Sequence, residues 1–262
     1  MTMVMSVAIN KKSLFPYLIY NKPYKYNDAI TLYPIKMKDI VIFQRLQSSI
    51  MLYKDAIFHE KKLIKMDYWD FIKYANKNYE LSEDYNLPLL PYYYDFVLGL
   101  FELSCGDDVK IEIDTNLEVY INEFKITNEV FDDLRRIILI QNDIDFDIDE
   151  FMNIDTLQAL EKAREFEAKK KKEKADIEDY IDSLIIGLKV TEEYVSNLTI
   201  RKFWRYINRL NKHDEYQACR SGQMTGFVTF KEPLKHWMTS FEVDDKYENL
   251  KTNEQELRSK IE

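Results

Sequence analysis

The sequence predicts a mainly α-helical chain with a small antiparallel β-hairpin element, an α+β class in which two helical modules flank a charged helix. Three observations predict it. Only 5 Gly and 6 Pro occur in 262 residues, too few for the dense turns of a β sandwich or barrel. Apolar residues recur at three- and four-residue spacing over several long stretches, the signature of one-sided helices. One region alone, residues 109–121, alternates apolar and polar residues on either side of a turn.

In chain order, Tyr17–Tyr20 and Ala29–Tyr33 read as two short strands joined by the turn Asn21–Asp28, and Pro34 ends the second. Asp39 is placed to cap a long helix carrying Ile40, Phe43, Leu46, Ile50, Tyr53 and Ile57 on one face. A second helix is expected over Asp67–Asn78, with Tyr68, Phe71, Ile72 and Ala75 inward. A third follows over Tyr92–Ser104 and stops at Gly106. Val109, Ile111 and Ile113, then Leu117, Val119 and Ile121, form the hairpin around Asp114–Asn116, and Phe124–Ile126 adds a short strand. Thr127 caps a helix whose inner side carries Val130, Phe131, Leu134, Ile137 and Ile138.

Charge divides the chain. Residues 1–155 hold 17 Lys/Arg against 26 Asp/Glu, whereas residues 156–262 hold 20 of each. The expected organisation is an acidic α+β module over 1–153, a charged helical linker over 154–175, a helical module over 176–242 and a polar tail over 243–262. Leu157, Leu160, Ala163 and Phe166 give the linker only a thin apolar stripe, and a continuous helix there would span about 30 Å. In the later module Ile177, Tyr180, Ile181, Leu184 and Ile185 form a helix stopped at Gly187. Thr199 caps another that holds Phe203, Trp204, Ile207 and Leu210. A loop over Gly222–Gly226, an extended piece over Phe227–Phe230 and the segment Glu232–Ser240 follow.

With 46% hydrophobic and 14% aromatic residues, the chain can bury a core. Cys105 and Cys219 lie far apart in unlike contexts, so a disulfide is unsupported and a reducing compartment, the cytoplasm, is expected. The start of the chain lacks the pattern of a signal peptide, and no window approaches the roughly 18 apolar residues of a membrane span.

No nucleophile elbow, Walker loop, zinc-protease helix or dinucleotide fingerprint occurs, and no cofactor is expected. Asp143, Asp145, Asp147 and Asp149 alternate as oxygen ligands of a calcium loop would. The positions that need Gly and Glu hold Ile148 and Ile154, or Glu150 and Thr156, so a solvated acidic edge with Ile144, Phe146 and Ile148 turned inward is preferred. His59, His213 and His236 share no zinc spacing with each other or with a cysteine. The Arg201–Arg220 segment interleaves bases with Phe203, Trp204 and Tyr206, as a nucleic-acid surface does, but a balanced half in an acidic chain disfavours that partner.

The order of elements resembles a known group. Leu32-Tyr33-Pro34-Ile35-Lys36-Met37-Lys38-Asp39-Ile40-Val41-Ile42-Phe43 leads into a helix, and Phe124-Lys125-Ile126-Thr127 precedes Phe131-Asp132-Asp133-Leu134-Arg135-Arg136-Ile137-Ile138-Leu139-Ile140-Gln141-Asn142. A charged helix follows, then Ser221-Gly222 through Lys235-His236-Trp237-Met238. This chain resembles the tail and baseplate assembly proteins of long-tailed bacteriophages, those termed tail assembly chaperones or baseplate hub assembly proteins. The resemblance implies a non-enzymatic role: keeping a tail or hub component soluble and presenting it for assembly. Other tail or baseplate proteins are the implied partners, and self-association stays open. Phe203, Trp204 and Trp237 are the candidate aromatic anchors and Arg201, Arg205 and Arg209 the charged rim, since Trp and Arg dominate binding energy when desolvated. That both Trp residues belong to the core is the open alternative. A permanent tail subunit and a nucleic-acid-binding accessory protein are the other readings.

Overall fold

A computed structural model of the chain describes residues 9–106, 108–170, 175–226, 229–230 and 233–240. Among them the chain is mainly α with two small antiparallel sheets, as the composition predicts. The elements run α1 (Lys11–Ile19), β1 (Tyr24–Lys25), β2 (Thr31–Leu32), α2 (Ile40–Leu46), α3 (Lys54–Ile57), α4 (Lys61–Lys65), α5 (Tyr68–Lys77), α6 (Glu80–Asp84) and α7 (Tyr93–Cys105). Then come β3 (Ile111–Ile113), β4 (Val119–Ile121), β5 (Phe124–Lys125), α8 (Asn128–Gln141), α9 (Ile154–Lys170), α10 (Ile177–Leu188), α11 (Glu192–Asn197) and α12 (Ile200–Met224). They form two units: residues up to Phe151 together with Thr191–Trp204, and Met152–Val190 together with residues from Arg205 onward.

The core of the first unit is an aromatic stack. Trp69 of α5 lies parallel to Phe131 of α8 at 4.8 Å and to Tyr94 of α7 at 5.5 Å, while Phe101 meets Phe131 edge-on at 6.1 Å. Such offset ring pairs add about 0.5–1.5 kcal/mol each beyond the area they bury. Val119 and Ile121 of β4 are fully buried, and β3 pairs with them in register, Ile113 opposite Val119 and Ile111 opposite Ile121. The loop to β5 has only two residues, Asn122 and Glu123, both at positive φ (47° and 66°). This is the backbone twist that closes a tight hairpin.

Several expectations are corrected. Tyr17–Ile19 belong to a helix, not a strand, and the first strand is Tyr24–Lys25, paired with Thr31–Leu32. Asn10 starts α1 with a capping box: its side chain accepts from the Lys12 and Ser13 amides, and Ser13 accepts from the Asn10 amide. Pro16 inside the helix costs about 3 kcal/mol. Complete burial of Leu14 and near-complete burial of Leu18 offset it, at about 1.5–3 kcal/mol each.

The long helix expected from Asp39 to Ile57 is broken. After Leu46 the chain tightens into a 3-10 turn over Gln47–Ile50, and α3 is a separate short helix. Ser48 and Ser49 donate back to the Arg45 and Leu46 carbonyls at 2.8 and 2.7 Å, competing with helix propagation. Tertiary partners take the freed backbone groups: the Tyr68 hydroxyl donates to the Ser49 carbonyl and accepts from the Leu52 amide. Asp39, expected as a helix cap, makes no capping bond and ends a 3-10 turn instead.

The helices over Tyr68–Lys77, Tyr93–Cys105 and Asn128–Gln141 lie where their periodicity places them, and Thr127 accepts from the Val130 amide as a cap. At the end of α8, the Gln141 side chain donates to the Leu32 carbonyl, and Asn142 accepts from the Ile35 amide at 3.1 Å. In the second unit, α10 continues one residue past Gly187 and ends with Lys189 in the left-handed region. A Cβ at Gly187 would stand 2.5 Å from Leu210 Cδ2, so the glycine permits close approach of α10 and α12. The expected Gly222–Gly226 loop starts later, since α12 reaches Met224. Phe227, Val228, Glu232 and the tail over 243–262 lie outside the described residues.

Asn142 is 1% exposed. Asn142→Ala strands the buried Ile35 amide and should cost about 1–3 kcal/mol; a urea midpoint equal to that of the parent chain would refute that role.

Candidate functional site

The six candidate partner-binding residues divide between the units. Arg201, Phe203 and Trp204 belong to the first, Arg205, Arg209 and Trp237 to the second. Two are corrected outright. Phe203 is fully buried and Arg201 is 6% exposed, so neither side chain can face a partner here. The reason is local. Ile200, Phe203 and Ile207 share the buried stripe of α12, and the chain before it is sewn to Ile35–Met37. Ile200 donates to the Ile35 carbonyl at 2.9 Å, Met37 donates to the Leu198 carbonyl at 2.8 Å, and Lys36 bridges Thr199. Arg201 donates to the Leu18 carbonyl at 3.0 Å, placing a cation at the C-terminal end of α1. Trp204 stacks edge-on against Phe203 at 5.1 Å and is half-buried. Residues 191–204, expected in the later module, therefore pack with the first unit.

In the second unit Arg209 and Trp237 do meet. Arg209 donates to the carbonyls of Trp237 and Thr239, the latter at 2.9 Å. Lys212 donates to the Thr239 hydroxyl at 3.0 Å and the Ser240 carbonyl at 3.1 Å. His213 stands perpendicular to the Trp237 ring at 5.1 Å, and Tyr216 meets His236 edge-on at 5.1 Å. Arg209, Lys212, His213 and Tyr216 recur at three- and four-residue spacing, so one face of α12 holds the whole 236–240 turn. Thr239 closes that turn by bonding the His236 carbonyl through both its amide and its hydroxyl. Sequence periodicity marks Arg209 as polar and outward; the meeting of His213 and Tyr216 with the rings of Trp237 and His236 was missed because nothing local links positions 20 or more apart.

The second unit exposes large apolar side chains: Ile186 (76%), Met224 (80%) and Met238 (67%), with Leu188 also uncovered. Isolated apolar residues on a surface are ordinary; two exposed methionines offer an adaptable contact.

The acidic run keeps the predicted alternation, with Ile144, Phe146 and Ile148 half-buried and the aspartates between them exposed. Asp143 pairs with Lys11 at 3.1 Å. Asp147 accepts from the Asp149 amide at 3.0 Å, and Asp149 takes both arms of Arg136 at 2.6 and 3.2 Å. The Arg136 hydrogen bond holds the Asp149 carboxyl below the usual carboxylate range. Among the described residues, no group of three His, Cys, Asp or Glu side chains is arranged to hold a metal ion. Likewise no described helix is long and apolar enough to cross a membrane. Burial pushes the Cys105 thiol up to about 12, well away from the thiolate form that reacts.

Fold and site together define a mainly helical chain with a small β element, whose second unit carries a basic, aromatic helix face. Residues 169–242 match the family model of the YomV second domain, well under half of the chain. This match supports a phage-derived protein. No curated protein and no solved structure matches the chain.

Two outcomes test these contacts. Arg209→Ala should speed amide exchange in 236–240 while leaving exchange in α8 unchanged; unchanged protection at 236–240 would show that Arg209 does not hold the turn. For the acidic run, the Asp149 carboxyl is depressed in the folded chain. Its contribution is therefore present above the unfolded value near 4 and is lost as pH falls through the lower folded value. Arg136→Gln should raise the midpoint pH of acid unfolding slightly, the effect being small because the pair is exposed to solvent. An unmoved midpoint would remove the pair from the acid response.

Proposed function

We propose that this chain is a non-enzymatic phage assembly protein that binds tail or baseplate hub components during morphogenesis. The observation that carries this reading is the match of residues 169–242 to a phage-associated domain, the same span that bears the α12 clamp and the exposed Ile186, Leu188, Met224 and Met238. A partner that must be held and then released suits such a surface. Flexible methionines repack against different apolar partners at small cost, and a modest apolar patch gives a reversible contact. The partner-facing residues in this reading are Met224, Met238 and Ile186, together with Arg205 and Trp237, in place of the buried Arg201 and Phe203.

A permanent tail or baseplate subunit would bury the same surface in the finished particle. The nucleic-acid reading is weakened because Arg209 and Lys212 spend donors on carbonyls of the 237–240 turn, which leaves fewer of them to neutralise phosphate.

Quantitative mass spectrometry of infected-cell lysate and of purified particles separates these readings. Abundance in lysate with absence from particles is expected for a transient assembly factor, and fixed stoichiometry in particles would make the chain a subunit. Ile186→Glu combined with Met224→Glu should abolish co-purification of tail proteins without loss of helicity. Retention of those proteins by the double variant would overturn this assignment of the contact surface.

A further inference from the structure

A cavity of about 260 Å³ in the first unit is lined by Leu52, Tyr53, Ile64, Tyr68, Arg135, Phe146 and Ile148, with Asp55, Asp149 and Glu150 also on its wall. Arg135 is only 4% exposed. Its Nε donates to the Ile50 carbonyl at 2.6 Å, and its guanidinium lies 3.7 Å from the centre of the Tyr68 ring and 5.4 Å from that of Phe146. The closest carboxylate oxygen paired with it, Asp132 Oδ1, stands 3.9 Å away, beyond hydrogen-bond reach, and itself lacks a hydrogen-bond partner. Among the described residues the terminal guanidinium nitrogens have no hydrogen-bond acceptor. Four N–H bonds of a guanidinium on the cavity wall are thus left for an acceptor that enters it.

Lys54 reinforces the positive field without competing for an acceptor. Its ammonium already donates to the carbonyls of Leu63, Ile64 and Met66. Its pKa is lowered by burial first and by the Arg135 charge second, which together outweigh the opposing pull of Asp67, Asp132 and Asp55. The acids on the wall are engaged: Asp149 with Arg136, and Glu150 with the Tyr53 hydroxyl at 3.0 Å.

We propose that this cavity binds a monocarboxylate carried on a short apolar body, its oxygens bonded to the terminal nitrogens of Arg135 and its carbon chain against Leu52, Ile64, Phe146 and Ile148. A planar guanidinium matches a carboxylate in two parallel hydrogen bonds. The volume falls just below the roughly 300–1,000 Å³ of sites for drug-sized molecules, which excludes a nucleotide and fits a short acid. The carboxylates on the wall repel a dianion more than a monoanion, which disfavours phosphate.

The test uses the full chain at constant ionic strength, titrated with sodium butyrate against sodium chloride, sodium phosphate and n-butylammonium chloride. Butyrate should raise the melting temperature saturably and shift the Arg135 Nε–H resonance, and the other three salts should do neither. Ile148→Trp, which fills the cavity while leaving Arg135 in place, should abolish the butyrate response. The resonance in the unsubstituted chain keeps the test decisive even if that variant folds poorly. A butyrate effect no larger than that of chloride, an equal effect from phosphate, an unmoved Nε–H resonance, or a folded Ile148→Trp chain that responds like the parent would each overturn the proposal.

Discussion

Much of the first unit depends on a single buried guanidinium. Arg135 projects from α8, fixes the Ile50 carbonyl where the α2 region ends, and stacks on Tyr68 of α5 and on Phe146 of the acidic run. Tyr68 in turn holds Ser49 and Leu52 through its hydroxyl. Four separate stretches of chain thus meet at one cation and one phenol. The aromatic faces compensate part of the charge, and burial pulls the guanidinium pKa down without discharging it. Removing the cation would free the Ile50 carbonyl and leave the Tyr68 and Phe146 rings without their shared contact, which is why the break in the α2 region and the position of the acidic run belong to the same constraint.

The legible parts of the fold were those in which local chemistry and tertiary packing agree. Over Asn128–Gln141 the cap, the apolar period and the burial coincide, and over 111–125 alternation matches the buried face of β4. The unreadable parts were those where distant groups overrode a good local pattern. Between Asp39 and Ile57 the apolar spacing is helical, yet Tyr68 and Arg135 claim backbone groups that an unbroken helix would use itself. Ser48-Ser49 was the one local warning. At α1 the capping box of Asn10 and Ser13 went unread, because the aromatic and β-branched residues over Tyr17–Tyr20 pointed toward strand.

The candidate site shows the same division. Arg201 and Phe203 were taken for surface because bases crowd their segment; the backbone pairing of 198–200 with 35–37 draws that turn of α12 inward, a non-local event. Arg135 carried a readable signal. It lies four residues after Phe131 and three before Ile138, both buried, on the apolar stripe of its helix rather than beside it. A charge at a core position is either paired, capping or functional, and Arg136 at the next position, exposed and bonded to Asp149, is its foil.

Scarcity of glycine links these observations. Helices commonly close with a left-handed glycine that satisfies their last carbonyls, and a chain with 5 Gly in 262 residues has few to spend. Cations from elsewhere do that work here. Lys54 gathers the carbonyls at the end of α4, Arg201 takes Leu18 near the end of α1, Arg135 takes Ile50, and Arg209 and Lys212 take those of the 237–240 turn. Each such bond is charge-assisted and favours a cation where carbonyl dipoles converge. These bonds leave each base its full charge while fixing it against distant backbone, so the scarcity of glycine is met by contacts that tie separate stretches of chain together.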